Sequence, residues 1–505
     1  MVRISQIELF DFKNIDYGKI VFPKTSRFEG SCIGADVVGI YGQNGSGKTS
    51  VIEAIRLVQR LISGFSLSND PKPLPIQDYF SPVKSSFSIS VQFCIDSDTR
   101  RLPKRSLVSY LVTLSKSAES YWISHEKIDV KSLELESKIF SKRKALFELN
   151  QDSPNTSPSL SPKGAWSHLL NVDSQLKMAT FVAFGILQKD HMSPLFGLEM
   201  YKRLLSLETC DFNLFTADEP PASLSYKDIV YNQQSDAFKK AWNDVLAPLV
   251  RLHEQLHEFF THRVKIFDTL INASCSLNIL SMDFPDERFY ANKGHLNVNL
   301  FEPALLTEAD LTHVAPALDR VSSLIGALVP GLSLKMKEVG TQLLDDGDTL
   351  AKKIEFLSCR NSVEIPLRCE SEGVRKLISL SLSLMEVHSY PEAFVAIDEL
   401  DSGVFEYLLG ELLSVIDSFG RGQLLFTAHN LRVLELLPTS DIVLTTSDPK
   451  NRFVKFKGSR PSNNLRDQYL RSVSLGGESS NLYMPTDKFS IDEALCLGGD
   501  ELGSI

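Results

Sequence analysis

The sequence lacks the features that mark membrane, secreted and nucleic-acid-coating proteins. No run approaches the roughly 18 apolar residues needed to span a bilayer, and the opening Met-Val-Arg-Ile-Ser-Gln is not a signal peptide. The seven cysteines are scattered without C-x-x-C pairs, which suits a reducing compartment and predicts no metal cluster. A formal net charge of −10 argues against coating nucleic acid by bulk electrostatics, although a local basic face stays open. We therefore expect a cytoplasmic protein with no membrane partner.

Length and composition indicate an ordinary globular protein. The chain has 505 residues, of which 43% are hydrophobic and 23% charged. At roughly 150 residues for each unit, such a chain is expected to form two or three structural units.

The most specific motif begins at an apolar run, Asp36 to Tyr41, which breaks into a glycine-rich turn ending in Lys48-Thr49. It fits G-x-x-x-x-G-K-[ST], between a predicted strand and a predicted helix. Backbone N–H groups in such a loop surround the β-phosphate of ATP, the lysine neutralises the β/γ oxygens and the threonine hydroxyl ligates Mg²⁺. The predicted nucleotide-binding residues are Gly42, Asn44, Gly45, Ser46, Gly47, Lys48, Thr49 and Ser50.

A second motif follows another apolar strand, Ala393 to Ile397, which ends in the paired acids Asp398 and Glu399. This is the Walker B pattern, in which a buried strand brings Asp398 to the Mg²⁺ and Glu399 polarises the attacking water. The next buried strand, Gln423 to Ala428, ends in His429. A lone histidine is more often structural than functional.

The remaining pattern predicts mixed α/β structure. Strands are expected in seven places: Ile4 to Val21 (one or two strands), Phe87 to Ile95, Leu107 to Leu114, Tyr121 to Ile128, Leu332 to Val339, Leu350 to Leu357 and Ser362 to Leu367. A closing hairpin is expected from Ile442 to Phe456. Helices are expected after Trp166, after the capping residue Ser371 and over Asp236 to Ile271. Lys138 to Lys144 is interpreted as a solvated helix face, and Asp152 to Pro162 as a mobile loop.

The helix from Asp236 contains His253-Glu-Gln-Leu-His257, which matches the metalloprotease pattern H-E-x-x-H. Two histidines four residues apart could hold zinc, with Glu254 as the base. However, Phe260 stands where the extended metzincin motif needs glycine, and His262 comes one place early. A solvated helix face is the preferred interpretation, and a metal-dependent protease the least favoured of three functions.

Lys48 and Asp398 stand near opposite ends of the chain, which indicates a nucleotide core split around an insertion. With Ser371-Glu-Gly-Val-Arg-Lys-Leu, Ile397-Asp-Glu-Leu-Asp-Ser-Gly, Leu425-Phe-Thr-Ala-His-Asn and Asn464-Leu-Arg-Asp-Gln-Tyr-Leu-Arg, the split resembles the ABC-type heads of RecF, Rad50 and SMC proteins. It resembles more closely the AAA15 and OLD-like ATPases of bacterial anti-phage systems, such as the ATPase subunits of PARIS and Septu. The resemblance implies an α/β, ABC-type split head, a mixed or parallel sheet flanked by helices with an inserted helical arm.

The resemblance also implies roles for single residues. Ser371 and Gly373 would form the signature motif that contacts the γ-phosphate held by the opposite protomer, although the motif departs from L-S-G-G-Q. Asp401 would be the D-loop residue and His429 the γ-phosphate switch. Gln188, after an apolar stretch interpreted as a strand, would be the Q-loop glutamine at the Mg²⁺. Lys13 and Asn14, which follow Phe12, would border the nucleotide.

The expected function is therefore an ATP- and Mg²⁺-dependent ATPase that forms homo-oligomers through shared ATP sites and controls a separate toxin or nuclease, with a phage protein as trigger. The alternative is a RecF- or SMC-like ATPase that acts directly on DNA. Too few residues follow His429 for a TOPRIM nuclease. The expected divisions are a head lobe (1–188), a mainly helical arm (189–330), a second lobe (331–460) and a C-terminal segment with an acidic tail (461–505).

Overall fold

The computed structural model describes residues 1–26, 34–68, 75–97, 104–117, 120–134, 139–154, 156–171, 174–197, 235–268, 279–285, 293–300, 302–344 and 348–455, with short pieces beyond. The fold is α/β, with mixed sheets flanked by helices.

The strands, in chain order, are β1 (Val2–Phe12), β2 (Ile15–Val21), β3 (Asp36–Tyr41), β4 (Ser86–Ser97), β5 (Lys104–Lys116), β6 (Tyr121–Glu134), β7 (Ile139–Phe140), β8 (Lys144–Asn150), β9 (Ser159–Ser161), β10 (Val264–Phe267), β11 (Ile279–Pro285), β12 (Lys293–Asn299), β13 (Ala304–Leu306), β14 (Leu332–Leu343), β15 (Leu350–Arg360), β16 (Val363–Pro366), β17 (Phe394–Ile397), β18 (Gln423–Ala428), β19 (Ile442–Thr445) and β20 (Phe453–Val454).

The helices are α1 (Pro23–Ser26), α2 (Lys48–Ile62), α3 (Lys163–Leu170), α4 (Ser174–Lys189), α5 (Asp236–Ala241), α6 (Ala247–His262), α7 (Glu308–Leu328), α8 (Glu372–Ser389), α9 (Glu406–Phe419) and α10 (Val433–Leu436). A π-helical turn, Trp242–Leu246, joins α5 to α6.

A six-stranded sheet carries the two nucleotide motifs. Its order is β10-β17-β18-β3-β19-β20, and every neighbouring pair is parallel except β19 with β20. Strands β3, β17, β18 and β19 are buried at every residue, as expected for a sheet covered on both faces. Parallel strands place their carboxyl ends at one edge, so the residues that follow β3, β17 and β18 meet there.

An antiparallel sheet of eight strands packs beside the first, in the order β2-β1-β4-β5-β6-β8-β9 with β7 attached to β6. The side-chain amide of Gln423, on β18, joins the two sheets. It accepts a hydrogen bond from the Ile4 backbone N–H at 2.8 Å and donates one to the Ile4 carbonyl at 2.7 Å. The first residues of the chain and the strand before His429 are thereby connected directly.

Most predicted elements are confirmed, including the strands near the N-terminus, the strand meander β14-β15-β16 and the hairpin of β19 and β20. Two local interpretations were wrong. The described part of the Lys138 to Lys144 cluster runs from β7 through an exposed connection to the first residue of β8, and both strands pair with β6 of the antiparallel sheet. Part of the predicted loop before Pro162 forms β9, which pairs with β8.

The arm predicted around the Asp236 to Ile271 helix implied that this helix projects from the head, and that prediction was also wrong. The helix ends at His262, and its apolar residues Phe238, Ala241, Val245, Leu249, Leu252, Leu256 and Phe260 are buried in the same core cluster as helix α2. The Phe260 ring lies edge-on to Phe93 of β4 at 5.8 Å. The stripe faces the antiparallel sheet of its own chain, so the helix belongs to the head.

The division of the chain at residues 188, 330 and 460 stays a prediction. Lys138 lies outside the described residues, as does most of the C-terminal segment with its acidic tail. No helix in the described ranges is long and apolar enough to cross a membrane.

Candidate nucleotide-binding site

The phosphate-binding loop connects β3 to α2 and has the backbone that its glycines predict. Gly45 and Gly47 have φ angles of 75° and 88°, in the left-handed region that favours glycine. A Cβ atom at Gly42 would lie 1.7 Å from Thr445 Oγ1, so a side chain there would displace β19. Thr445 Oγ1 also donates to Ser46 Oγ at 2.6 Å, which fixes the loop against β19. Asn44 is exposed at the tip of the loop, and Ser50 is buried.

Lys48 folds back into this loop. Its ammonium group donates to the carbonyl of Gly42 at 2.8 Å and to that of Gln43 at 3.0 Å. Burial lowers the pKa of Lys48, whereas the negative charges of Asp398, Glu399 and Asp401 oppose this shift. The Lys48 ammonium group therefore lies inside the phosphate-binding loop, facing the acids of the Walker B turn.

One hydrogen bond joins the phosphate-binding loop directly to the Walker B acid. Thr49 Oγ1 donates to Asp398 Oδ2 at 2.9 Å, between residues 349 positions apart in the sequence. Asp398 is fully buried, and its other carboxylate oxygen accepts a hydrogen bond from Thr427 Oγ1 of β18. A hydroxyl and a carboxylate at this separation are hard oxygen donors of the kind that Mg²⁺ prefers. The predicted Mg²⁺ residues Thr49 and Asp398 are thus brought together, and they fit this ion.

Glu399, the predicted water-activating acid, follows in a left-handed backbone conformation with a φ of 48°. Its N–H donates to Thr427 Oγ1 at 2.8 Å. The side chain is half-buried, beside the buried Asp398. The acid therefore begins a tight turn at the carboxyl edge of the sheet.

Asp401 and His429 are brought together as well. Asp401 Oδ2 accepts hydrogen bonds from the backbone N–H groups of His429 and Asn430, at 2.7 and 2.6 Å. The His429 side chain is exposed at the end of β18. The turn after the Walker B strand thus holds the loop that carries the predicted switch histidine.

The signature residues begin helix α8. Ser371 caps the helix, as predicted, by accepting a hydrogen bond from the Val374 N–H at 3.4 Å. A Cβ atom at Gly373 would lie 1.9 Å from the carbonyl oxygen of Gly403, so only glycine fits there. Ser371 itself is exposed. The helix start is therefore packed against the turn that contains Asp401.

The hairpin between β1 and β2 supplies one of its two predicted residues to the loop. Asn14 Nδ2 donates to the Gly45 carbonyl at 2.7 Å. Lys13 does not reach the loop, because its ammonium group binds both carboxylate oxygens of Glu53 on α2, at 2.7 and 2.6 Å. Arg452, which the sequence did not single out, donates to the Asn14 carbonyl at 2.6 Å and supports the hairpin.

The interpretation of Gln188 was wrong. It lies on helix α4, not after a strand, and its side-chain amide bonds to the N–H and carbonyl of Ile123 in the antiparallel sheet, at 3.2 and 2.9 Å. The amide therefore completes the backbone pairing of β6, so the structure gives it no role at the Mg²⁺.

The parallel sheet instead places another acidic residue, Asp268, next to Asp398. It follows β10, whose Phe267 lies opposite Ile397 of the Walker B strand, and Asp398 N–H donates to the Phe267 carbonyl at 2.7 Å. Asp268 is buried and forms an ion pair with Arg56 on α2. The available signal was a short segment, Val264 to Phe267, in which three of four residues are apolar and an acid follows, but the predicted helix to Ile271 extended over it.

The H-E-x-x-H pattern does not form a metal site in the described part of the chain. His253 stacks on Phe196 with ring centroids 5.3 Å apart, and burial lowers its pKa to about 4. Among the described residues no group of three or more His, Cys, Asp or Glu side chains could hold a metal ion. Glu254 is exposed on the opposite side of the helix from the core.

Comparisons with known proteins agree with the motifs. Residues 37–168 match the family described as "AAA domain, putative AbiEii toxin, Type IV TA system". The chain is 39% identical over 72 residues to the DNA replication and repair protein RecF of Chlorobaculum parvum, which covers 14% of this chain and 19% of that protein. The chain thus spans about a fifth of the length of this relative. The family match includes the phosphate-binding loop, and both similarities cover only part of the chain.

Solved structures with a similar arrangement include an Smc head domain with an extended coiled coil from Pyrococcus furiosus, bound to the C-terminal domain of ScpA. It is 13% identical, covers 94% of this chain and 100% of that chain, and has a TM-score of 0.36. The structure of the recombination mediator protein RecF with ATP is 12% identical. The match covers 85% of this chain and 94% of that chain, with a TM-score of 0.30. At these scores the likeness carries no argument about function.

Proposed function

We propose that this chain is a Mg²⁺-dependent ABC-type ATPase whose ATP sites are completed by a second copy, and that it controls a separate toxin or nuclease in bacterial defence against phage. The observation that carries the ATPase part is the Thr49–Asp398 hydrogen bond of 2.9 Å. It joins the phosphate-binding loop and the Walker B strand at one edge of the sheet.

The residues have distinct roles in this proposal. Lys48 moves from its two carbonyl partners to the β/γ oxygens of ATP, and Thr49 and Asp398 hold the Mg²⁺. A bound Mg²⁺ neutralises charge on the phosphate oxygens. Glu399 accepts the proton of the attacking water, and His429 lies on the adjacent strand end, where the γ-phosphate is expected.

Pairing of two chains is supported by the position of the signature. Ser371 is exposed, and the described contacts of this helix start run to Val374 and Gly403, on the side of the Walker B turn. A signature oriented in this way serves an ATP site of a second copy. The interaction with an effector is supported by the description of the matching family, which names a putative toxin and a toxin–antitoxin system.

The pairing is tested by mixing two inactive variants. Lys48→Ala is expected to lose ATP binding and Ser371→Arg to lose hydrolysis. A mixed pair combines the intact loop of one chain with the intact signature of the other, so the mixture should recover part of the phosphate release. Lys335→Ala, at an exposed lysine paired with Glu364, is the matched control and should behave as the unaltered chain. Confirmed mixed oligomers without any recovery would contradict the shared site.

A second function, direct action on DNA, is favoured by the RecF alignment alone. The two functions are distinguished by measuring whether the Glu399→Gln chain binds a partner protein or DNA in the presence of ATP. Native mass spectrometry with the protein of the neighbouring gene should show a stable complex if the chain controls an effector. Binding of duplex DNA that weakens steeply with salt, without such a complex, would support the RecF-like function instead.

A further inference from the structure

Lys376 is a buried lysine on α8 to which no motif assigns a role. Its side chain is 3% exposed, and its ammonium group donates to two backbone carbonyls in the Walker B turn. The distances are 2.5 Å to the Glu399 oxygen and 3.2 Å to the Ser402 oxygen. The lysine therefore joins the signature helix to the turn that carries the proposed water-activating acid.

The turn needs such support because Glu399 has a φ of 48°. A non-glycine residue in the left-handed region is strained and persists only where its surroundings hold it. Three described hydrogen bonds do so here, one of them from the Ser402 N–H to the Glu399 carbonyl at 3.0 Å. Thr427 Oγ1 accepts the N–H of Glu399, and Lys376 binds its carbonyl. The peptides on both sides of the Glu399 Cα are thus held, which sets the direction of its Cα–Cβ bond.

Burying an ammonium group is costly when it serves packing alone. Desolvation lowers the pKa of Lys376, and the nearby acids Asp401, Glu399, Glu372 and Asp398 oppose this by favouring the charged form. An apolar side chain would fill the same space without the cost of burial, which points to the two carbonyls as the reason for a lysine here.

Lys376 and Ser371 belong to the same helix start. The helical rise places them roughly 7.5 Å apart along the axis. Between them, Gly373 packs directly on Gly403 of the same turn. The start of α8 and the Walker B turn therefore form one packed unit with two attachments, the glycine contact and the lysine.

We propose that Lys376 is a positioning residue for ATP hydrolysis. It holds the left-handed turn at Glu399 from the signature helix, so that a contact of Ser371 with ATP in the paired chain is transmitted to the water-activating carboxylate of its own chain. This inference rests on the proposed function, and it predicts that the two ATP sites of a pair influence each other through α8.

The kinetic test compares Lys376→Met with Lys376→Arg. Methionine keeps the length and removes the donors, so kcat for ATP should fall on the order of 10²-fold, because small misplacement of a reacting group has this effect. The KM and the affinity for ATP should stay close to those of the unaltered chain. Arginine can donate to both carbonyls and should restore part of kcat. Lys265→Met is the matched control, since Lys265 also binds α8, through Glu386 at 2.9 Å, but not the Walker B turn.

Amide hydrogen exchange in the nucleotide-free chain provides a readout that does not depend on hydrolysis. The N–H groups of Leu400 and Ser402 are hydrogen bonded, to Thr427 and Glu399. Their exchange should become faster in Lys376→Met and stay unchanged in Lys265→Met. If the unaltered chain hydrolyses no ATP, the proposed function fails, and the exchange rates still decide whether Lys376 holds the turn.

Two results would overturn the inference. One is a folded Lys376→Met chain with unchanged kcat or with unchanged exchange at Leu400 and Ser402. The other is a parallel loss of ATP affinity and kcat, with no recovery in Lys376→Arg, which would indicate that the lysine supports folding only. Should Lys376→Met fail to fold, the split between kcat and KM in Lys376→Arg decides in its place.

Discussion

The two large sheets use their polar residues differently. In the six-stranded sheet the parallel strands β3, β10, β17 and β18 all end at one edge, and each is followed by a residue of the candidate site. In the eight-stranded sheet neighbouring strands run in opposite directions, so their ends are distributed over two edges. Strand direction, more than the number of polar residues, decides where a site can be assembled.

Two glutamates show this difference. Glu399 follows a parallel strand and lies half-buried at the common edge. Glu126 lies within the antiparallel strand β6, fully buried, and accepts hydrogen bonds from Tyr110 Oη, Ser193 Oγ and the Leu195 N–H at 2.7, 2.5 and 3.0 Å. Burial raises the pKa of Glu126 to about 7. One acid is available for chemistry, and the other fastens residues 193–195 to the sheet.

The largest expected effect comes from removing the first of these acids. Glu399→Gln should bind ATP normally but lower kcat by about 10²–10⁴-fold, since the water loses its general base. Glu126→Gln is the matched control in the other sheet and should keep kcat. Phosphate release under saturating ATP measures both. Near-normal turnover by Glu399→Gln would remove this glutamate from the proposed mechanism.

A large effect on stability is expected from Leu256→Asp on α6. Leu256 is fully buried in the core cluster shared with α2, and an unpaired charge there should lower the free energy of unfolding by about 4 kcal/mol. Glu254→Gln, on the exposed side of the same helix, should change it by less than about 0.5 kcal/mol. Denaturant titration distinguishes the two. A Leu256→Asp chain as stable as the unaltered chain would support the interpretation of this helix as a projecting arm.

An intermediate effect is expected from pH. The folded-state pKa of Glu126 is raised above its usual 4.5 to about 7, so its contribution to stability is fully present below pH 4.5 and is lost as the pH rises through 7. The loss is at most roughly 3 kcal/mol, from the size of the shift. Unfolding at pH 5.5 and pH 8 should therefore differ less in Glu126→Gln than in the unaltered chain. Identical pH dependence of the two would show that another group dominates.

The smallest effect is expected from replacing His253 and His257 by alanine together. Neither residue belongs to the candidate site, so ATP hydrolysis and bound zinc, measured by elemental analysis, should not change. Bound zinc in the unaltered chain that disappears with the two histidines would revive the metalloprotease interpretation.

The candidate site was predictable where a residue is defined by its immediate neighbours in sequence. Lys48, Thr49 and Asp398 are set by motifs whose strand, turn and helix are local, and Ser371 is set by its place before a helix. Gln188 was misassigned because an apolar run alone does not distinguish a buried strand from a buried helix. Asp268 was missed because its strand is short and acquires its meaning from pairing with β17.

The sequence alone determined the phosphate-binding loop, the Walker B strand and the helix cap at Ser371, because these depend on local backbone chemistry and periodicity. Tertiary structure alone decided that the apolar stripe of α6 faces the sheet of its own chain. It also decided that Asp268 stands beside Asp398 and that Lys376 supports Glu399. The physical reason is that burial and strand pairing join residues far apart in the chain. A periodic apolar stripe indicates that one face of a helix will be buried, but it does not indicate which element will cover that face.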